Sequence, residues 1–329
     1  MELFLSTIVF FVVCGFAGKA FAALPGGTDV HVDTALSAVS IGYRNQAYIW
    51  PDLFPVVPTA KQSDKYHIFD KADLLRNEAG VRAPGTLANR GGYRLSTGSF
   101  FCNDHSFGKQ TPDEISANAD ESLELDQADT EYVTGQVELD LELELAGAIF
   151  TTGVWGTDAT PSTQWGTLAT SDPLADAATG IETVLKNTGY KPNTLTLGYE
   201  VWTVLMNHPD FIDRLATQTT RVLQEAAAAQ LFGVENLIVG TATQNTASEG
   251  ETFVGSFVWG KHALLTYVPP SPGKRTPSAG YTFRWGARKV LRYRDTPEGV
   301  LSDVIEVHDY LDPVVTGSDL GYMMDDAIA

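Results

Sequence analysis

Between residues 110 and 150 the chain holds twelve carboxylates and neither Lys nor Arg, and its centre reads VELDLELELA, Val137 to Ala146. Apolar and acidic residues alternate there step by step, the pattern of a strand with one buried face. The residue types argue the other way. Leu and Glu are strong helix formers, whereas strands favour β-branched and aromatic side chains. Wound as a helix, Val137, Leu141 and Leu145 share one face at i, i+4 spacing, and Leu139, Leu143 and Ala146 widen it. We therefore expect a helix from about Ala128 to Phe150.

That helix poses an electrostatic problem. Glu138/Glu142 and Asp140/Glu144 are like-charge i, i+4 pairs, each costing roughly 0.2–0.5 kcal/mol in isolation. A solvated acidic face is one resolution; a basic surface laid over it is the other. Residues 61–109 offer such a surface. KYHIFDK and GGYRLSTGSFFCND have strand character, and the polar stretch between them is broken by Gly80, Pro84, Gly85, Gly91 and Gly92. The simplest reading is a long hairpin with an irregular tip. It carries Lys61, Lys65, Lys71, Arg76, Arg82, Arg90 and Arg94 against Asp64, Asp70, Asp73 and Glu78. A connection this long is usually functional or wrapped on a partner.

On either side the chain is more ordinary. Residues 24–60 are poor in periodic pattern and hold Pro25, Pro51, Pro55 and Pro58, which predicts an extended arm. A helix is expected after Asp172, with Pro173 at its first position and Gly189 as its stop. PNTLTLGYEVWTVLMNHPDFIDRL predicts a strand and then a helix ended by Pro209, and a further helix should end at Gly233 before another strand. SFVWGKHALLTYVPP, AGYTFRWG and the tail supply more strands, with turns at Pro297-Glu298-Gly299 and Thr316-Gly317. The class is α+β.

The first 22 residues resemble an export leader. Leu3 to Phe16 is apolar and Ala20-Phe21-Ala22 is a small-x-small site, but Glu2 stands where a basic residue belongs and Lys19 lies on the wrong side. With Cys14 in that segment, Cys102 is the one cysteine left behind it. A lone thiol suits a reducing compartment.

A net charge of −19 argues against a coat that works by neutralising phosphates. Sites for chemistry are hard to find. The six histidines have no HExxH or H-x₃₋₅-H spacing, no CxxC is possible, and the GxSxG elbow is absent. FGKQT places Gln110 where a phosphate loop needs Ser or Thr. Asp113-Glu114 reads as a helix start rather than an acid–base pair. Cys102 with His105 reads as a half-buried thiol near a histidine. Trp155, Trp165, Trp259 and Trp285, each beside a glycine, read as packing. We expect no catalytic, cofactor-binding or metal site.

Several phrases in order resemble the major capsid proteins of tailed bacteriophages: VSIGYRNQAYIWPDLFPVVPTAKQSDKYHIFDKAD, APGTLANRGGYRLSTGSFFCNDHSFGKQTPDEISANAD, FTTGVWG, VWGKHALLTYVPP and SAGYTFRWG. The similarity runs from about Val39 to the C-terminus. It implies the Hong Kong 97-type capsid fold, with an N-terminal arm (23–60), an extended loop (61–109), a peripheral domain containing a spine helix (110–189), an axial domain (190–285) and C-terminal strands returning to the peripheral domain (286–329). It also implies a non-enzymatic subunit. Such subunits form hexamers and pentamers, then an icosahedral virion shell around double-stranded DNA, without reading DNA sequence or entering a membrane. Scaffold, portal and maturation proteins would be separate chains, and assembly would occur in the host cytoplasm. On this reading Arg76, Arg82, Arg90 and Arg94 of one subunit lie across Glu138, Asp140, Glu142 and Glu144 of its neighbour. Residues 1–22 are then an over-extended start or a segment removed before assembly. The alternative, an exported acidic β-rich binding or surface-layer protein, rests on the leader alone.

Overall fold

The acidic run is helical. The structure, a computed structural model, describes residues 31–32, 36, 48–118, 122–215, 223–273, 276–295 and 301–329. The leader-like segment, most of the arm and the turn at Pro297-Glu298-Gly299 lie outside these. In chain order come strand β1 (His31–Val32), helix α1 (Trp50–Leu53) and strand β2 (Val56–Thr59). A hairpin of β3 (Ser63–Phe69) and β4 (Leu95–Phe101) follows, with the helical turn α2 (Lys71–Leu74) in its tip. Strand β5 (Asn103–Pro112) and helix α3 (Asp113–Asn118) lead to the long helix α4 (Ser122–Ile149).

The second half begins with β6 (Asp158–Ala159), α5 (Pro173–Thr188) and β7 (Thr194–Gly198). Helices α6 (Tyr199–Met206), α7 (Pro209–Leu215) and α8 (Glu225–Phe232) precede β8 (Asn236–Gly240) and the small pair β9 (Thr243–Asn245) and β10 (Gly255–Phe257). The chain closes with β11 (Ala263–Thr266), β12 (Gly280–Trp285), β13 (Lys289–Asp295), β14 (Ser302–Val315) and β15 (Gly321–Met324).

Two sheets organise these elements. One runs β1-β13-β14-β12-β2, with β5 paired to the other side of β14, and α4 lies on it. The other runs β6-β15-β11-β7-β8. Its core sets Leu195, Leu197 and Leu265 against Val184 of α5, Leu205 of α6 and Phe232 of α8. Local signals place these helices well. The Asp172 carboxylate accepts from Ala175 N at 3.0 Å, and Gly189 ends α5 in the left-handed region with φ 78°, a conformation that suits a residue without Cβ. Pro209 not only stops α6 but opens α7.

Helix α4 buries two parallel columns. Val133, Val137, Leu141, Leu145 and Ile149 form the apolar one and pack on Val290, Ile305, Val307 and Leu311 of the sheet. Thr134, Glu138, Glu142 and Ala146 form the other. The helix starts at Ser122, earlier than Ala128, and Asp126 then falls near its N-terminus, where the helix dipole favours carboxylates. Among the described residues no helix is long and apolar enough to cross a membrane.

One expected boundary moves. The hairpin closes at Phe101, and residues 103–112 leave it to pair antiparallel with β14 from Asn103↔Leu311 to Pro112↔Ser302. Trp155, Trp165 and Trp259 are core residues, as expected, while Trp285 is partly exposed against Tyr310.

Candidate functional site

The hairpin is a two-stranded ribbon in the register Ser63↔Phe101 to Phe69↔Leu95. Such a ribbon is marginal by itself, and this one is anchored mainly at its base. There the Phe100 ring stacks on Phe283 with centroids 4.1 Å apart, and Tyr66 stacks on Phe283 at 5.9 Å. Tyr66 also covers Gly98, where a Cβ would come within 2.3 Å of the ring. Farther out the ribbon touches the body through Lys71 and Asp319, 2.8 Å apart, a surface pair worth at most about 1 kcal/mol. Leu74, Leu75, Val81, Leu87 and Tyr93 are all exposed. Apolar side chains on a lightly held ribbon mark a surface that expects a partner.

The four loop arginines are not equivalent. Arg94 is a brace inside the tip: its Nε and backbone N both donate to Asp73 at 2.9 Å, and its Nη2 lies 2.8 Å from Asp70. The Arg94 hydrogen bonds hold the Asp73 carboxyl below its ordinary range. Arg76 sits loosely by Glu78 at 3.7 Å, Arg82 donates to the Thr86 carbonyl at 2.6 Å, and Arg90 is exposed. Arg76, Arg82 and Arg90 therefore remain available to another molecule.

The four helix acids divide as well. Glu138 accepts from Arg288 Nη1 and Nη2 at 3.1 Å each, and Arg288 Nε donates to Asp309 at 3.0 Å. Arg284 Nη2 completes this buried group by donating to Asp309 at 2.7 Å. Glu142 is fully buried. It accepts from Ile49 N at 3.0 Å, Trp50 N at 2.9 Å and Trp259 Nε1 at 2.5 Å, so it ties the start of α1 and the Trp259 loop to α4. Burial pushes its carboxyl up to about 7, although the three N–H donors pull the other way. Asp140 and Glu144, 66% and 41% exposed, face outward. The expectation that all four acids meet a neighbour is thus corrected: Glu138 and Glu142 are taken by the subunit's own core, out of a second chain's reach.

The basic complement of the acidic segment comes from the same chain, from β13 and from β5. Arg292 pairs with Asp126 at 2.7 Å, Arg294 pairs with Asp113, and Lys109 pairs with Asp129, which also accepts from Thr111 at 2.7 Å. Lys109 of FGKQT is a strand residue making an ion pair. The run RWGARKVLRYR, 284–294, was the sequence signal for this complement. His105 was a second: its Nδ1 is 2.9 Å from Asp140 and its Nε2 is 3.3 Å from Glu144.

Three constellations resemble chemistry. Cys102 is buried, its Sγ lies 3.5 Å from the Phe283 carbonyl, and burial raises its thiol pKa; His105 instead turns to α4. Ser171, His208 and Asp210 form a Ser–His–Asp group that sequence reading missed. Asp210 N donates to His208 Nδ1 at 3.3 Å. Asp210 Oδ2 lies 3.5 Å from the same Nδ1, Nε2 faces Ser171 Oγ at 3.0 Å, and Ser171 donates to the Thr167 carbonyl at 2.9 Å. Nucleophile activation needs serine to donate to a bare Nε2, whereas the buried Ser171 hydroxyl donates to the Thr167 carbonyl. This group pins a loop. His262, Asp325 and Asp326 bring one donor atom each to within 4.8 Å of one another at the surface, the set among the described residues that could hold a cation.

No family model matches the chain. It is 27% identical over 303 residues to a major capsid protein of Burkholderia phage BcepMu, covering 89% of this chain and 95% of that one. A crystal structure of a phage-related protein from Bordetella bronchiseptica RB50 superposes with a TM-score of 0.72 at 26% identity, over 91% of this chain and 98% of that one. The mature capsid of bacteriophage PhiM1 matches at a TM-score of 0.54 and 10% identity, over 86% and 88% of the two chains. The chain has the α+β capsid fold that its sequence resemblance implied.

Proposed function

We infer that this chain is a major capsid protein of a tailed phage, the subunit whose copies assemble into the virion shell. The observation that carries this reading is chain-long similarity to a capsid protein, joined to a ribbon whose apolar side chains its own subunit leaves exposed. The task is structural, not enzymatic. An exported binding protein draws no support from the fold or the relatives.

The exposed ribbon and the outward carboxylates support a finer arrangement. The sheet under α4 forms the peripheral domain, and the β6-β15-β11-β7-β8 sheet with its helices forms the axial domain. Subunits meet as hexamers and pentamers. The hairpin of one subunit lies on the next, with Arg76, Arg82 and Arg90 over the outward edge that carries Asp140 and Glu144. Each exposed pair contributes up to about 1 kcal/mol, and repetition around a capsomer converts small terms into register. The shell encloses DNA without binding particular sequences, and its acidic wall does not hold the packed phosphates. Scaffold, portal and maturation proteins are separate chains.

Velocity sedimentation of the expressed chain, alone and with the scaffold of its phage, tests both levels. Capsomers or shells are expected, and the triple variant Arg76→Glu, Arg82→Glu, Arg90→Glu should remain a folded, smaller species. A chain that stays monomeric in both preparations would overturn the capsid reading. Normal shells from the triple variant would overturn only the loop-on-helix contact.

A further inference from the structure

We propose that His262, Asp325 and Asp326 form a binding site for a divalent transition metal of the zinc type, which clasps the turn after β15 to the approach of β11. The site lies within one subunit, so the proposal goes beyond the assembly reading and does not rest on it.

The three side chains are brought together by sheet register. His262 and Asp326 are 64 positions apart in the chain, so no local motif announces them. Strands β11 and β15 pair antiparallel from Ala263↔Met324 to Thr266↔Gly321. His262 directly precedes β11 and Asp325 directly follows β15, so the same register sets the two opposite each other. His262 Nδ1 is 2.8 Å from Asp325 Oδ1, and the three residues bring one donor atom each to within 4.8 Å of one another. Ligands on a tetrahedral zinc with bonds of roughly 2.0–2.1 Å stand about 3.4 Å apart. These atoms reach that spacing once the exposed Asp326 carboxylate turns toward the other two.

The frame that carries them is fixed. Asp325 N donates to the Ala159 carbonyl at 3.0 Å, Ala327 N to the Lys261 carbonyl at 3.0 Å, and Trp165 N to the Ala327 carbonyl at 2.7 Å. This turn holds Asp326 at φ 46°, the one non-glycine residue with positive φ among the described residues. Such a conformation costs free energy and persists where surrounding contacts impose it. The imidazole is placed as firmly. The Phe150 ring lies 5.1 Å from it, and a Cβ on Gly260 would stand 3.4 Å from its Cδ2.

Charge and donor chemistry both call for a cation of this class. Among the described residues no Lys or Arg pairs with Asp325 or Asp326, and the neighbouring Lys261 donates instead to the Ala329 carbonyl at 2.7 Å. Phe150 directly follows α4, whose last turn carries no basic residue, so the negative end of that helix lies beside the imidazole. The imidazole separates this set from an ordinary acidic patch. Magnesium and calcium prefer oxygen ligands alone, whereas zinc takes nitrogen and oxygen together, with water in the remaining position. An ion held there joins the two chain segments across the sheet end.

The test is calorimetric titration of the full chain, freed of metal, with zinc chloride and separately with calcium chloride. One zinc per chain is expected, with calcium weaker by about tenfold or more. His262→Gln and Asp325→Asn should each weaken zinc binding by about tenfold or more. His67→Gln, which changes an exposed histidine of the hairpin, should leave it unaltered. Zinc should also slow hydrogen exchange at the amides of residues 325–327 in the wild type and not in His262→Gln. Asp326→Asn, at an exposed position, gives the same reading if a change at His262 disturbs folding. No saturable zinc binding, zinc binding unchanged in the His262 and Asp325 variants, or calcium bound as tightly as zinc would each overturn the proposal.

Discussion

Glu142 is the residue whose replacement most directly tests how α4 is held. Its carboxyl is fully buried among Ile49 N, Trp50 N and Trp259 Nε1, and burial raises it from 4.5 to about 7. A carboxyl whose pKa is higher in the fold than in the open chain binds its proton more tightly when folded. Below about 4.5 both states hold the proton and nothing is lost. Between 4.5 and about 7 only the fold holds it, and each pH unit removes about 1.4 kcal/mol of stability. The whole interval amounts to about 3 kcal/mol. Glu142→Gln is neutral throughout and nearly isosteric with the protonated acid. The two proteins should be close in stability near pH 4.5, and the variant should become the more stable by up to about 3 kcal/mol above pH 7.5. Urea unfolding of the unassembled chain, followed by tryptophan fluorescence at a series of pH values, measures the difference; other titrating groups cancel in the comparison. A difference that does not change with pH would refute the reasoning. A variant less stable than wild type at pH 8 would show that the three N–H donors outweigh burial and that Glu142 is bound as an anion.

Two further changes separate buried from local contributions. Arg288→Met leaves the buried Glu138 without its guanidinium and Asp309 with Arg284 alone, and should destabilise the chain by about 3–5 kcal/mol; chemical denaturation reads it, and adding Glu138→Gln should restore part of the loss. Asp172→Ala removes the carboxylate that accepts from Ala175 N, and should cost about 1 kcal/mol, read as lower exchange protection in the first turn of α5 with the β14 amides unchanged.

Features that depend on neighbours in the chain were legible in the sequence. The ribbon announced itself by two strand-like phrases around a glycine- and proline-punctuated tip, and α5 by Asp172, Pro173 and Gly189. Leu and Glu propensity outweighed the alternating pattern of VELDLELELA because a helix can bury alternate leucines on a broad stripe. Long-range pairing was not legible. The β5 segment continues the composition of β4, and its partner β14 lies about two hundred residues away, so nothing local says that the hairpin ends at Phe101. The acids failed for a related reason. Alternation suggests that Glu138 and Glu142 point away from the leucines, but at 3.6 residues per turn the column Thr134, Glu138, Glu142, Ala146 lies next to the buried column Val133, Val137, Leu141, Leu145. Whether that second column can be buried depends on Arg288 and on the backbone of Ile49 and Trp50 arriving beside it, and a helical wheel contains neither.

This arrangement bears on the hairpin's charge. Four carboxylates of the spine helix and its approach meet Lys or Arg of their own subunit: Glu138 has Arg288, Asp126 has Arg292, Asp129 has Lys109 and Asp113 has Arg294. Within the hairpin tip, Arg94 braces Asp70 and Asp73. Among the described residues, Arg76, Arg82 and Arg90 have one surface carboxylate between them, Glu78, in a chain whose net charge is −19. An acidic chain that keeps three arginines on an exposed tip while drawing its internal cations from β5 and the β12–β13 region has sorted its positive charge into two sets. One holds the fold together. The other contributes little to a lone subunit and, on the proposed contact, would meet carboxylates left outward on another copy, Asp140 and Glu144, which are more exposed than the His105 they touch.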